Sequence, residues 1–136
     1  MQRYIYMIMK SRVLRHPKII LKILTNFPTL DPLVIFLNST LYYIEKNKKI
    51  TSFLTIKKWK NATELGTVYT YPEFRHMGLA RKLITYAAKK YGSLSLLCKK
   101  EVVPFYKKIG FTQTNSLKNV VDKRRALFNK YISRVL

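Results

Sequence analysis

The order of apolar and polar positions divides this chain into short strand-like and helix-like runs. Tyr4 to Met9 is apolar enough for a first strand, although its alternation is poor. His16-Pro17 opens a stretch rich in Ile19, Ile20, Leu21, Ile23 and Leu24. Proline suits the first turn of a helix, where a missing N–H costs no hydrogen bond. Asp31-Pro32 repeats the device, with Asp31 as the cap of a short helix through Leu37. Leu41–Glu45 and Ile50–Lys58 read as strands around the polar turn Lys46-Asn47-Lys48-Lys49. Glu64–Tyr71, rich in threonine, valine and tyrosine, is a further strand that Pro72 ends.

From Gly78 to Tyr91 the period becomes helical. Leu79, Leu83, Ala87 and Tyr91 form one row and Ala80, Ile84 and Ala88 the next, while Arg81, Lys82, Thr85, Lys89 and Lys90 fall outside that face. Gly92 stops the helix. Ser93–Cys98 reads as a strand, Val102–Ile109 as a short helix stopped by Gly110, and Phe111–Thr114 as a strand. The tail from Arg125 to Leu136 fits either a strand or a helix, with a strand preferred. No repeat, low-complexity tract or flexible linker interrupts this mixed αβ order, which has strand–helix–strand at its centre.

Composition narrows the possibilities. A length of 136 residues fits one domain, spanning 1–136. Such a chain buries roughly two-thirds of its unfolded surface and needs no disulfide or metal for stability. Hydrophobic residues make up 48% and aromatics 13%, too many for a disordered tail. No apolar run approaches the ~18 residues of a membrane span, so no membrane partner is expected. The start, Met1-Gln2-Arg3-Tyr4, leads into a short apolar stretch ended by Lys10, read as a strand and not a secretory signal. The single Cys98 allows no disulfide framework and suits a reducing interior, so a cytoplasmic location is expected. Against 27 basic residues stand 6 acidic ones, a net charge of +21. That field attracts nucleic acid, anionic lipid and polyphosphate cofactors. The abundance of lysine, isoleucine and asparagine with little glycine also fits a purely compositional bias.

Chemistry concentrates at the junction Tyr71-Pro72-Glu73-Phe74-Arg75-His76-Met77-Gly78-Leu79-Ala80-Arg81, where a strand runs into an amphipathic helix. A helix start offers unpaired N–H groups and the positive end of the dipole, a setting that binds phosphate. Gly78 lets an anion approach the backbone, Ala80 keeps the next position small, and Arg75 and Arg81 can add charge-assisted contacts. An ordinary strand–helix connection with a turning glycine has the same spacing.

Two segments then resemble a known family. Arg75-x-x-Gly78-x-Ala80 is similar to the acyl-coenzyme A signature of the GNAT superfamily of N-acetyltransferases, and the strand from Glu64 to Pro72 matches its lead-in. Val103-Pro104-Phe105-Tyr106-Lys107-Lys108-Ile109-Gly110-Phe111 is similar to the family's Phe-Tyr-x-Lys-x-Gly-Phe segment, in the expected order and at a suitable gap. The resemblance covers Glu64 to Phe111. It implies an α+β fold with a central, mostly antiparallel sheet flanked by helices. The fourth and fifth strands, Glu64–Tyr71 and Ser93–Cys98, would splay to admit the cofactor's pantetheine arm. By the same carry-over the N–H groups of His76, Met77, Gly78, Leu79, Ala80 and Arg81, with Arg75, hold the pyrophosphate. The backbone of Val68, Tyr69 and Thr70 pairs with the pantetheine amides.

The implied activity is direct transfer of an acetyl group from acetyl-CoA to a primary amine, without a metal. Tyr106 matches the tyrosine that assists the departing thiolate. Glu64, eleven residues before Arg75, has the spacing of the base in several branches. Where many members carry an asparagine that contacts the cofactor, this chain has Lys99. Cys98 fits a small buried hydrophobe better than a nucleophile, since no partner base is evident. His76 reads as an exposed loop residue or a phosphate contact, and His16 as a helix cap. Trp59, Tyr42 and Tyr43 fit either the amine pocket or plain packing. The pairs Lys57-Lys58, Lys89-Lys90, Lys99-Lys100, Lys107-Lys108 and Arg124-Arg125 read as solvated faces. Like-charge repulsion disfavours a cationic acceptor and favours one that carries negative charge, such as a phosphorylated amino sugar or an acidic protein segment. The competing reading is a catalytically weak module of the same fold that binds nucleic acid through its basic surface. The oligomeric state is a monomer or a homodimer on either reading.

Overall fold

In the computed structural model, residues 7–26, 39–59, 62–96, 98 and 100–112 are described. The chain forms β1 (Ile8–Arg12), α1 (Pro17–Asn26), β2 (Thr40–Lys46), β3 (Lys49–Trp59), β4 (Ala62–Thr70), α2 (Leu79–Tyr91), β5 (Ser95–Leu96) and α3 (Val103–Ile109), with short 3₁₀ turns at Val13–Arg15, Pro72–Phe74 and Lys100–Val102. One five-stranded sheet runs in the order β1-β2-β3-β4-β5. Its first four strands are an antiparallel meander, and β5 joins β4 in parallel. This is the mixed α+β architecture expected.

Most boundaries follow the sequence pattern, and the differences have local causes. The β2–β3 turn is tighter than the four polar residues suggest: Lys46 pairs with Lys49, and Asn47 and Lys48 both take positive φ, 52° and 63°. Two such residues make the primed hairpin turn whose twist matches the flanking strands. The first strand reaches Arg12, beyond the expected Met9, because the β2 partners continue to Thr40. Residues 4–6 of that prediction, the Asp31–Leu37 helix and the tail after 112 lie outside the described residues. β5 is shorter than expected, two residues where Ser93–Cys98 reads as a strand.

Both faces of the sheet are covered. On one side α2 presents Leu79, Leu83, Ile84 and Ala87 to Tyr42, Ile44, Leu54, Ile56 and Leu65. These are the rows its period predicts, and the five polar positions outside them are exposed. On the other side α1 lays Ile19 and Ile23 on Val13, Leu41, Phe53 and Tyr69. With both faces buried, β3 is continuously buried from Thr51 to Lys57.

β4 carries one irregularity that positions everything downstream. Leu54 pairs with Val68 but Ile56 with Leu65, so Gly66 and Thr67 together face the single Thr55. The extra residue makes a bulge. Thr67 N–H donates to Thr55 Oγ1 at 2.8 Å, within the sheet interior. Alternation restarts after the bulge. Leu65 and Val68 therefore both pack on the α2 side, while Tyr69 and Tyr71 join the α1 cluster.

Candidate active site

The loop between β4 and α2 is shaped by its own backbone. The Pro72–Phe74 turn closes with Phe74 N–H on Tyr71 O at 2.9 Å. His76 and Gly78 then take positive φ, 65° and 73°. The helix's first backbone bond runs from Lys82 N–H to Gly78 O at 3.1 Å. The N–H groups of Leu79, Ala80 and Arg81 thus have no intrahelical acceptor. No side chain caps this end. A Cβ added at Gly78 would enter open space, with nothing within 4 Å. An open backbone cradle at a positive dipole end fits a pyrophosphate. His76 and Met77 are exposed beside it, Arg81 lies on the solvent side of α2, and Leu79 is anchored in the core.

Arg75 is turned back onto β4. Its Nε donates to Thr70 O at 3.0 Å, and its guanidinium carbon lies 5.7 Å from the centre of the Tyr69 ring. Tyr69 O accepts from Ser52 Oγ at 3.0 Å, and the Thr70 and Ser52 hydroxyls meet at 2.8 Å. The side chain of Val68 packs on the α2 side and that of Tyr69 on the α1 side. β5 pairs with β4 at only two described positions, Glu64 with Ser95 and Leu65 with Leu96, while β4 runs on to Thr70.

Tyr106 reaches the α2-side cluster from α3, edge-on to Phe105 and Phe111 at 5.1 and 5.6 Å. Burial, with a smaller contribution from neighbouring Cys98, pushes its phenol up to about 12. It keeps its proton throughout the neutral range, as a donor to a leaving sulfur must. Burial also pushes the Cys98 thiol up, which disfavours the thiolate a nucleophile requires.

Glu64 occupies the opposite side. It stands across from Lys57 on β3, whose Nζ lies 3.8 Å from Glu64 Oε2; the two side chains are 1% and 0% exposed. Trp59 Nε1 donates to the same oxygen at 2.7 Å. Lys57 is therefore not on a solvated face as its sequence suggests: alternation turns it inward toward Glu64 while Lys58 points to solvent. Trp59 serves the carboxylate, and Tyr42 is core, with its hydroxyl 2.6 Å from that of Tyr91. His16 caps α1 with its carbonyl, which accepts from Ile19 and Ile20, while its ring bonds Ser11 Oγ at 2.9 Å. Lys99 lies outside the described residues. Among the described residues no three His, Cys, Asp or Glu side chains gather where a metal could sit. Nor is any described helix long and apolar enough to cross a membrane.

The fold therefore presents a parallel strand pair joined at two described positions, an open backbone cradle at a helix start, and a carboxylate and a protonated phenol on opposite faces of the sheet. The profile of the acetyltransferase (GNAT) domain matches residues 38–113, more than half of the chain. The chain belongs to this family and is an acyl-CoA-dependent acetyltransferase. No curated protein matches it. Solved structures share its fold at low identity. An IAA acetyltransferase from Bacillus cereus ATCC 14579 superposes with a TM-score of 0.63 at 16% identity, over 80% of this chain and 79% of that one. Glucosamine-6-phosphate N-acetyltransferase from Arabidopsis thaliana gives 0.57 at 19%, over 82% and 95%. An acetyltransferase from Clostridium acetobutylicum, solved with acetyl-CoA, gives 0.56 at 18%, over 80% and 92%.

Sequence reasoning missed two cations, Lys57 and Lys22. Lys57 carried no signal, because it stands beside Lys58 and comes to face Glu64 only through strand pairing. Lys22 carried none either, because its neighbours Tyr69 and Tyr71 are distant in sequence.

Proposed function

We propose that the protein transfers the acetyl group of acetyl-CoA directly to a primary amine, with the amine and the departing sulfur on opposite sides of the β4–β5 gap. The observation that carries this reading is that Glu64 and Tyr106 pack on opposite faces of the sheet, Glu64 where β4 still pairs with β5. Acetyl-CoA supplies a thioester, whose carbonyl carbon bonds to the amine nitrogen as its bond to sulfur breaks. The N–H groups from His76 to Arg81, with Arg75, hold the pyrophosphate, and the backbone of Val68, Tyr69 and Thr70 aligns the pantetheine arm. Tyr106, protonated at working pH, donates its hydroxyl proton toward the sulfur. Glu64 is the sink for the amine's proton. Because its carboxylate is 1% exposed, a bridging water carries the proton to it. Burial disfavours the Cys98 thiolate, and direct attack by the amine needs no acetyl-cysteine intermediate.

Thermal unfolding with and without acetyl-CoA tests the cofactor site, with ATP and Gly78→Glu as controls. At a hundred times the dissociation constant, specific binding adds about 2.7 kcal/mol. In the variant the new carboxylate occupies the open space at Gly78 on a strained backbone, and the stabilisation is lost. Equal stabilisation by ATP, or none by either ligand, would instead favour a basic surface for polyanions.

A further inference from the structure

The row of residues that crosses the sheet at Glu64 is polar on both sides of the carboxylate. Glu64 pairs with Lys57 on β3 and with Ser95 on β5. The adjacent pair, Leu65 with Leu96, packs on the α2 side, so Glu64 and Ser95 share the α1 face. In the other direction the pairing of Thr40 with Ile56, carried one step on, sets Ser39 opposite Lys57. Val13 N–H donates to Ser39 O at 3.0 Å, and the Val13 side chain lies in the α1 cluster. Val13, Ser39, Lys57, Glu64 and Ser95 thus stand in line on one face, about 4.8 Å from strand to strand. The two ends of the line differ. Ser39 is 3% exposed with Val13 fully buried behind it, and its Oγ has no hydrogen-bond partner among the described residues. Ser95 is half-buried and follows the exposed Gly92 and Ser93. Between the ends Glu64 is fixed, since Lys57 and Trp59 both hold its Oε2. A buried carboxylate pinned by two donors does not swing out to meet an amine, so the proton has to travel to it. Ser95 is the polar group on the open side of that carboxylate.

We propose that Ser95 is a positioning residue for acetyl transfer: its hydroxyl holds the water that carries the amine's proton to Glu64. The inference rests on the reading of Glu64 as the proton sink. Neighbouring strands set the two side chains one strand spacing apart, a separation that a single water bridges. That water has the polar partners it needs in the Ser95 hydroxyl, the Glu64 carboxylate and the acceptor nitrogen. As the carbon–nitrogen bond forms, the nitrogen gives its proton to the water, and the water passes one of its own to the carboxylate, which becomes the neutral acid. Ser95 accepts the water's remaining O–H and keeps its own proton throughout. Lys57 and Trp59 hold the receiving carboxylate in one orientation while this happens. The acid returns its proton to solvent by the same water once the amide has left. Ser39 takes no part, because it stands beyond Lys57 at the closed end of the line.

The test compares Ser95→Thr with Ser95→Val, two side chains of one shape that differ by a hydroxyl. Trp59 is the sole tryptophan, so its indole N–H gives a single nuclear magnetic resonance signal at the Glu64 carboxylate. Exchange of that hydrogen with solvent, followed in the full chain without cofactor, reports whether water reaches the carboxylate past Ser95. Exchange in Ser95→Thr is expected at the wild-type rate, and in Ser95→Val about tenfold slower or more, with equal urea midpoints showing that both fold. Equal exchange in the two variants overturns the proposal, whether or not an amine is acetylated. Thiol release from acetyl-CoA with ethanolamine as acceptor supplies the second readout. Ser95→Val is expected to lower kcat about thirtyfold with the KM for acetyl-CoA unchanged, while Ser95→Thr and Ser39→Ala stay near wild type. A loss in Ser39→Ala that matches the loss in Ser95→Val would place the water elsewhere and refute the assignment. Glu64→Gln separates the two readings. If it abolishes turnover while Ser95→Val and Ser95→Thr behave alike, this inference fails and Glu64 remains the sink; if it leaves kcat unchanged, the sink and this inference fail together.

Discussion

Replacing Tyr106 with phenylalanine removes one hydroxyl and leaves the ring against Phe105 and Phe111. The consequence for stability follows from the position of its proton equilibrium, raised by burial from an ordinary 10.0 to about 12. Below pH 9 both the folded and the unfolded chain keep the proton, and the group adds no pH dependence. Between pH 10 and 12 the unfolded chain has released it while the folded chain still holds it, so stability falls as pH rises. Each unit of pH in that window costs about 1.36 kcal/mol, so the wild type should lose about 1.4 kcal/mol by pH 11 that Tyr106→Phe does not lose. Urea unfolding of both proteins at pH 8, 9, 10 and 11 measures the difference, in which other tyrosines and lysines cancel. In the same variant kcat should fall about 100-fold at every pH from 7 to 9, with the KM for acetyl-CoA little changed. Parallel stability curves would show that the hydroxyl is solvated, and an unchanged kcat would remove it from the chemistry.

Two further perturbations probe the sheet. Lys57→Met leaves the Glu64 carboxylate buried without its ion-pair partner and should cost about 3–5 kcal/mol in urea unfolding, much of it recovered by adding Glu64→Gln; a single variant within 1 kcal/mol of wild type refutes the pairing. Thr55→Val takes the hydroxyl acceptor from the buried Thr67 N–H and should cost about 1–3 kcal/mol, with faster amide exchange at Thr67 as its local signature.

What could be read beforehand depended on whether a feature leaves a periodic trace. The helix Leu79–Tyr91 was legible because its buried positions repeat at helical spacing and a glycine stands at each end. The family resemblance was legible in the Arg75–Arg81 loop and the Tyr106 segment because both are contiguous motifs. Glu64 was legible by its spacing to Arg75, but its partner was not: a lysine beside another lysine reads as surface until strand pairing sets it opposite a carboxylate. Lys22, Arg75, Tyr69 and Tyr71 come together only through α1 folding over the end of β4. The bulge left no trace either, since β4 keeps its threonine- and valine-rich pattern straight through it.

That bulge acts as a phase shift in a two-state code. Along a regular strand, positions an even number apart share a side; across Gly66-Thr67, positions an odd number apart do. Glu64 and Tyr69 end up on the same side for this reason alone. A relative with one residue fewer between Leu65 and Val68 needs no bulge, because its glutamate and tyrosine then stand four apart on a regular strand and share a side anyway. A relative of the same length that pairs without the bulge sends the two to opposite sides, so comparisons within the family have to follow strand pairing across this point before a matching carboxylate is taken to face the same way.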